Sequence, residues 1–278
     1  MILRRLAEYY DRLAADPATS ADLPRWGYSK QKLSFCVVLN PDGSLNQFQS
    51  LLDAGAGRPE PVRRLVPGAA KPPGQGINPG FLWDNAAYIL GVAGASADAR
   101  KLARTRQACA AFRDRHVTAE AEVADAAFSA VCRFLERWVA GEWHERESEI
   151  DDIASHFGVF RIAGEQVYVH EQPAVAAYWG RHLATGDAGK VAQCLVTGTV
   201  GQVARLHEPK IKGVPGSQSS GAPLVSFNEP AYESYGHDQG SNAPVSQTIA
   251  FKYTNALNAL LERPERRIRL GDATVVFW

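Results

Sequence analysis

The stretch RRLVPGAAKPPGQGINPG, from residue 63 to residue 80, holds side chains suited to reading nucleic acid. Gln75 and Asn78 carry paired donor and acceptor groups that fit base edges, and Lys71 fits a phosphate or the edge of a guanine. Arg63 and Arg64 precede them and suit phosphate oxygens. The intervening glycines let the backbone approach a partner closely. On side-chain chemistry alone, an ordinary flexible surface loop explains the same residues.

A second stretch, from Lys210 to Gln247, is almost free of large aliphatic residues and rich in glycine, hydroxyl and amide groups. Hydroxyls and exposed N–H groups satisfy phosphate oxygens, and aromatic rings set among them can stack on splayed bases. The stretch also carries three carboxylates, which argues for a shaped contact surface rather than a bare basic groove. A long structural loop folded on itself is the open alternative. The candidate contacts to a nucleic-acid backbone or to a neighbouring subunit are Arg205, His207, Lys210, Lys212, Gln218, Ser219, Ser220, Asn228 and Asn242.

Known catalytic motifs fail on inspection. HERES, starting at His144, has Ser148 where a zinc-binding HExxH motif needs its second histidine. GSQSSGAP has the glycine spacing of a phosphate loop but Ala222 and Pro223 in place of Lys and Ser/Thr. An acid–base or metal site in the second stretch has no paired spacing to recommend it. We therefore predict no catalytic residue, no metal and no cofactor; the residues of the rejected site are Glu229, Glu233, His237 and Asp238.

Composition limits the remaining classes of function. The formal net charge is zero, so a nucleic-acid partner must be argued from local patches. No apolar run approaches the roughly 20 residues of a membrane span, and the amphipathic N-terminus lacks the apolar core of a signal peptide. The four cysteines sit among apolar neighbours without CxxC spacing, which indicates buried thiols in a reducing compartment. These features predict a cytoplasmic protein without a membrane partner.

Strands that come mostly as hairpins, alternating irregularly with helices, predict a mixed α+β fold with largely antiparallel hairpins. We expect a helical subdomain inserted at about 81–157 and a polar, nucleic-acid-facing loop at about 205–247 of one 278-residue domain. The segment 53–80 is predicted to lack regular structure, and KVAQCLVTG is predicted to be a buried strand. Predicted helices start at residues 1 and 81, after a cap at Ser96 or Asp98, and at residues 118, 145, 173 and 247. Predicted hairpins turn at 40–43, 163–164 and 271–272.

Three segments resemble the large subunit of the type I-C CRISPR surveillance complex, Cascade. They are GYSKQKLSFCVVLNPDGSL, GINPGFLWDNAAYILG and the long block from TGTVGQVARLHEPKIKG to FKYTNALNALL. The resemblance runs over essentially the whole chain and corresponds to roughly the N-terminal half of that family's longer chain. The abrupt end of this sequence, on TVVFW, fits that correspondence.

The resemblance implies a non-catalytic subunit that recognises the protospacer-adjacent motif (PAM) in duplex DNA and helps to start unwinding, with TTC-type motifs suggested for the PAM. It implies as partners the target DNA, the guide RNA through the complex, the backbone and RNA-handle-binding subunits, and a recruited helicase-nuclease; phage anti-CRISPR proteins could dock on the same loops. Lys71, Gln75 and Asn78 are then our candidate PAM readers, with Arg63 and Arg64 on phosphates. The alternatives are a protein–protein scaffold without PAM readout, or a nuclease.

Overall fold

The computed structural model describes residues 2–53, 59–69, 76–94, 97–138, 153–185 and 189–278. It divides into two compact units, one of residues 1–26 with 186–278 and one of residues 27–185. The strands are β1 (Tyr28–Leu33), β2 (Phe35–Leu39), β3 (Leu45–Ser50), β4 (Leu52–Asp53), β5 (Glu60–Pro67), β6 (Trp83–Asn85), β7 (Phe157–Ile162), β8 (Val191–Gln193), β9 (Val200–Gln202), β10 (Arg267–Leu270) and β11 (Ala273–Val276). The α-helices are α1 (Ile2–Ala15), α2 (Pro17–Ser20), α3 (Ala86–Ile89), α4 (Ala99–Val123), α5 (Ala126–Arg137), α6 (Pro173–Thr185) and α7 (Gln247–Glu262). The predicted α+β class is confirmed.

The unit of residues 27–185 is built on a four-stranded sheet in the order β3-β2-β7-β6. Every residue of β2 is buried, as expected for an apolar strand between two neighbours. The predicted hairpin from β2 to β3 is confirmed, and Gly43 takes the positive φ of +87° that its turn requires. β2 and β7 pair in parallel, so the sheet is mixed rather than purely antiparallel.

The prediction that residues 53–80 lack regular structure is wrong for residues 60–67. β5 spans Glu60–Pro67 and pairs antiparallel with β1 and with the short β4. The strand was not predicted because it contains two prolines, which usually argue against a strand, and two arginines. Proline is tolerated here where its ring does not interrupt a needed hydrogen bond. The segment KVAQCLVTG is also mispredicted, since β8 is short and mostly exposed and pairs only with β9.

Three helix boundaries differ from the sequence-based ones. Residues 83–85 form β6 before α3 begins, so the predicted helix at 81 starts as a strand. α4 begins after the Asp98 cap and continues through Thr118, the predicted start of a separate helix, to Val123. α4 then ends at Ala124, whose φ is +48°, and Asp125 caps the start of α5. The predicted turn at 163–164 leads only to an isolated bridge between Arg161 and Tyr168, and residues 145–152 lie outside the described part of the chain.

The other unit packs α1 against α7, and both helices are confirmed as predicted. Apolar residues of α1 and α7 form one cluster with Cys194, Ala204 and Val245. Ser246 caps α7 by accepting from the Ile249 N–H. The predicted hairpin around residues 271–272 is confirmed as β10 and β11. Among the helices that the structure describes, none combines the length and apolar character that crossing a bilayer requires.

Substitution of Gly158 in β7 tests the packing of the four-stranded sheet. A Cβ at this position would lie 2.3 Å from the buried Phe35 ring, so Gly158→Ala should lower the free energy of unfolding by about 1–3 kcal/mol. Gly180→Ala is the control, because Gly180 lies exposed in α6 with nothing near its Cβ position. That change should raise stability by up to about 1 kcal/mol. Urea unfolding checks both, and equal stability of the two variants would contradict this packing.

Candidate nucleic-acid interface

The glycine-rich loop of residues 68–82 begins and ends at one point of the fold. The indole Nε1–H of Trp83 donates to the Pro67 carbonyl at 2.6 Å, which joins the end of β5 to the start of β6. Beside it the N–H of Leu82 donates to His116 Nε2 at 2.9 Å. Leu82 is fully buried with a φ of +61°, a conformation that a leucine adopts only when its surroundings impose it. These contacts fix the base of the loop.

His116 is held in one neutral tautomer by its two hydrogen bonds. Because Nε2 accepts from Leu82, the proton sits on Nδ1, which donates to the Phe112 carbonyl at 2.7 Å. The ring is completely buried and stacks on Phe81 with the ring centroids 5.4 Å apart. Burial lowers the pKa of His116 to about 4, and the nearby Arg115 guanidinium also lowers it. The imidazole is therefore a structural group of the loop base.

Residues 76–80, the last part of the loop, are tied to the helices by their main chain. Arg104 donates to the Gly76 carbonyl at 3.2 Å, and Arg115 donates to the Pro79 carbonyl at 2.5 Å. Tyr88 accepts from the Asn78 N–H at 3.1 Å, and Asp84 accepts from the Gly80 N–H at 2.7 Å. The side chain of Asn78 is thus carried by a backbone that is held on both sides. These anchors come from residues up to 36 positions away, so no local sequence signal identified them.

The structure describes only some of the predicted reader residues. Asn78 is exposed, whereas Lys71 and Gln75 lie outside the described residues. Arg63 and Arg64 are exposed on β5 rather than in a loop. Arg63 lies opposite Lys32 and Arg64 lies opposite Gln31, so the two arginines point to opposite faces of the sheet. One phosphate cannot contact both.

In the other unit, the start of the polar segment is anchored to α7. His207 is only 2% exposed, and its Nδ1 lies 2.7 Å from the Tyr253 hydroxyl. Burial lowers the pKa of His207. The Thr254 hydroxyl lies 3.1 Å from the Glu208 carbonyl and 2.8 Å from the Ala250 carbonyl of its own helix. His207, a candidate surface contact by sequence, is therefore placed as an anchor of the segment, while Arg205 beside it is exposed.

The next part of the polar segment is a loop with a closed base. Ile211 and Ala222 exchange both backbone hydrogen bonds, each at 2.9 Å, and so close the loop of residues 212–221. Asn258 of α7 accepts from the Lys212 N–H and donates to the Lys210 carbonyl, at 2.9 and 3.0 Å. The Asn258 side-chain amide thus pairs with backbone groups on both sides of Ile211, as the backbone of a neighbouring strand would.

The tip of this loop consists of two consecutive turns. The Ser217 N–H donates to the Val214 carbonyl and the Gly221 N–H to the Gln218 carbonyl. Gln218, Ser219, Ser220 and Lys212 are exposed there, and Lys210 is half-buried. The loop therefore presents its polar groups on a base that α7 holds in place.

The last part of the segment is organised by Asn242. Its Oδ1 accepts from the Ser234 N–H at 2.9 Å, and its Nδ2 donates to the carbonyls of His237 and Gln239, both at 3.0 Å. These bonds fix a turn in which Tyr235 has a φ of +55° and a side chain that is 98% exposed. The side chain of Asn242 is thus occupied by hydrogen bonds within the chain, and that of Tyr235 faces solvent. Asn228 is exposed.

The residues considered for a metal site do not assemble into one. Among the residues that the structure describes, no group of three or more His, Cys, Asp or Glu side chains is placed to hold a metal ion. Glu229, Glu233, His237 and Asp238 all belong to that described part and are exposed. Their carboxylates instead serve local contacts, such as the acceptance by Asp238 from the Ser241 hydroxyl at 3.2 Å.

The fold and these sites define an α+β protein with a candidate interface made of polar loops. Hydrogen bonds to the main chain anchor these loops. The family model of the CRISPR-associated protein (Cas_Csd1) matches residues 6–278, and the chain belongs to that family. A search of the curated proteins finds no match. Membership of the family supports a CRISPR-associated Cascade subunit that works with other Cas proteins.

The buried His116 should make stability depend on pH. Its pKa of about 4 in the folded protein is lower than the roughly 6.5 of an unfolded chain. Its contribution to stability is therefore complete above about pH 6.5 and is lost as the pH falls towards about 4. Between about pH 7.5 and 5 we expect a loss of about 2 kcal/mol from this group.

Urea unfolding at the two pH values measures this loss. The loss should be about 2 kcal/mol smaller in His116→Gln than in the native protein. His237→Gln, which changes an exposed histidine, is the control and should follow the native protein. An equal pH dependence in all three proteins would refute the assignment of a buried, neutral His116.

Proposed function

We propose that this chain is the DNA-reading part of the large subunit of a type I-C Cascade, and that the loop ending at residues 76–80 reads the PAM in duplex DNA. The observation that supports this most strongly is the exposed amide of Asn78 on a backbone held by Arg104, Arg115, Tyr88 and Asp84. An amide discriminates bases only when its donor and acceptor are held in one orientation, because both must meet the base edge together. The anchors fix the backbone from which the Asn78 side chain projects.

The two ends of the loop meet at the bond between Trp83 and Pro67. In guided effectors the protein reads the PAM and the shape of the DNA, while base pairing with the guide reads the remaining sequence. A short polar loop fits this division because only a few base pairs must be read by the protein. Lys71 and Gln75 are the other proposed readers, and local unwinding would start beside them.

The polar segment would contact nucleic-acid backbone. Arg205 and Lys212 are exposed and Lys210 is half-buried, and the loop tip adds exposed hydroxyl and amide groups. Neutral donors such as these position a phosphate backbone without high net charge. This agrees with the formal net charge of zero, because affinity would then be shared with the other subunits of the complex.

The chain itself would be non-catalytic. DNA cleavage would belong to a recruited helicase-nuclease, and the neighbours in the complex would be the backbone subunits and the subunit that holds the RNA handle, in the cytoplasm. Inhibitor proteins that mimic DNA would compete for the same loops. The second candidate is a scaffold that uses the 229–238 part of the segment, which carries three exposed carboxylates and the exposed Tyr232 and Tyr235, to dock another subunit.

Loss of the Asn78 amide should remove PAM discrimination. Asn78→Ala, in the guide-loaded complex, should lower affinity for PAM-bearing duplexes about 5- to 100-fold and leave PAM-less binding unchanged, because a paired amide–base contact contributes about 1–3 kcal/mol. Lys71→Ala and Gln75→Ala should act in the same direction. Equilibrium binding of duplexes with and without the PAM measures the ratio. Gln107→Ala, an exposed amide on α4, is the matched control. Unchanged discrimination in all three variants would place the reader elsewhere.

The polar segment should carry part of the salt dependence of DNA binding. Lys210→Gln combined with Lys212→Gln should reduce the slope of log affinity against log salt by about 2, because each phosphate that a lysine neutralises adds roughly 0.9 to that slope. Arg4→Gln, on the exposed side of α1 in the same unit, is the control and should leave the slope unchanged. A complex that loses a subunit while keeping the native slope would favour the scaffold instead.

A further inference from the structure

Arg267, the first residue of β10, lies beside the loop of residues 212–221. Its guanidinium nitrogen Nη1 is 3.9 Å from the position that a Cβ on Gly213 would occupy. Gly213 follows Lys212, whose N–H is held by Asn258 of α7 at the base of the loop. The fold therefore brings a cation from the C-terminal hairpin to the part of the polar segment that α7 holds in place.

The pairing of β10 with β11 fixes the side of the hairpin on which Arg267 lies. Arg267 is directly opposite Val276, so the two residues share one face of the ladder. Val276 packs against the apolar cluster of α1 and α7. Ile268 and Val275 form the next pair and lie on the other face, where both are exposed. The ladder thus directs Arg267 towards the helix that holds the loop.

The guanidinium of Arg267 lies next to the loop without holding it. Among the residues that the structure describes, this guanidinium has no hydrogen-bond partner and forms no ion pair. The carboxylates nearest to it along the chain, Glu265 and Asp272, are exposed. Arg269 differs, since its Nε donates to the Gly271 carbonyl at 3.1 Å. The planar fork of Arg267 therefore keeps all of its donors for a ligand or for water.

Two ordinary roles also favour an arginine on this hairpin. The stem of Arg267 can cover apolar surface around Val276. A charged side chain also discourages pairing between edge strands, and both strands of a two-stranded sheet are edges. Both roles account for the type of residue, but neither requires its guanidinium to lie beside Gly213.

The groups around Arg267 fit a phosphate backbone. Lys212, Ser219 and Ser220 of the loop are exposed, and residues 209–221 contain no carboxylate. Arginine can bind two oxygens of one phosphate through parallel N–H groups, and serine hydroxyls add neutral donors. A phosphodiester chain repeats its acceptor oxygens along its length, which suits donors spread over a loop and a neighbouring strand.

We infer that Arg267 and the loop of residues 212–221 form one binding site for the phosphate backbone of DNA, in which Arg267 and Lys212 contact the same strand. The assignment to target DNA rests on the proposed function. The contacts themselves would be independent of base sequence, because phosphates carry no base information. The site would exist only in the folded unit, since its two parts are brought together by the packing of the hairpin.

Salt titration of DNA binding tests the role of Arg267. The guide-loaded complex with its complete large subunit is measured against a PAM-bearing and a PAM-less duplex at several salt concentrations. Arg267→Gln should reduce the slope of log affinity against log salt by about 0.9 on both duplexes, because one phosphate contact is lost. Arg267→Lys keeps the charge and should keep the native slope. Arg4→Gln, which removes an exposed charge from α1 of the same unit, should also keep it.

A native slope in Arg267→Gln would overturn the inference. Lys212→Gln, measured in parallel, then separates two failures. If it lowers the slope, the polar segment contacts DNA without the hairpin; if it does not, the proposed DNA contact of the segment fails as well. Guide-RNA content is measured in each complex. Loss of guide RNA from the Arg267→Gln complex, with an unchanged DNA slope, would assign the site to RNA and overturn the assignment to DNA.

Thermal unfolding separates a binding role from a structural one. Because the exposed Arg267 guanidinium bonds to no described residue, the melting temperature of Arg267→Gln should stay within about 2 °C of the native value. A clearly lower melting temperature combined with a native salt slope is the result that stem packing predicts, and it would overturn the inference.

Discussion

The hydrogen bond from the Trp83 indole to the Pro67 carbonyl is the constraint on which the candidate reader depends. It closes a loop that is rich in glycine and proline and buries apolar side chains at its end, at Phe81 and Leu82. A buried, neutral His116 completes the base by accepting from Leu82, and it can do so only while Nε2 carries no proton. The loop is therefore built on the hydrophobic core of its unit, and burial both lowers the pKa of the histidine and holds its tautomer.

Both polar regions are ordered largely by hydrogen bonds to other elements. A segment with few apolar side chains gains little from the hydrophobic effect, so much of its order must come from hydrogen bonds to residues that are themselves fixed. In the 68–82 loop these residues belong to α3, α4 and β6, and in the polar segment they belong to α7. In both regions the bonds go mainly to the backbone of the loop. The side chains of Asn78, Gln218 and Ser219 can then face a partner.

Charge is arranged by face and by segment rather than by total. The β1–β5 register separates Lys32 and Arg63 from Glu60 and Asp53, although the sequence mixes both signs. In the polar segment the basic residues lie near its start, whereas its carboxylates other than Glu208 follow after residue 228. A formal net charge of zero therefore does not describe how charge is distributed along the chain. Membership of the Cas_Csd1 family supports a CRISPR-associated Cascade subunit.

The sequence by itself determined the features that depend on local chemistry. Periodic apolar residues and capping side chains predicted α1, α6 and α7, and turn residues predicted the hairpins around residues 40–43 and 271–272. The class of the fold followed from these. A CRISPR-associated family was indicated by the resemblance of three longer segments, and the match to the Cas_Csd1 family confirms it at that level.

Only the tertiary structure decided which of the polar residues are available to a partner. The burial of His207, the internal bonds of Asn242 and the separation of Arg63 from Arg64 all depend on residues distant in sequence or on strand pairing. β5 was missed for the same reason, since a strand with two prolines and two arginines is stabilised by its neighbours rather than by its own propensity. Anchors such as Arg115 and Asn258 carry no local signal, because their roles exist only once the loops lie against them.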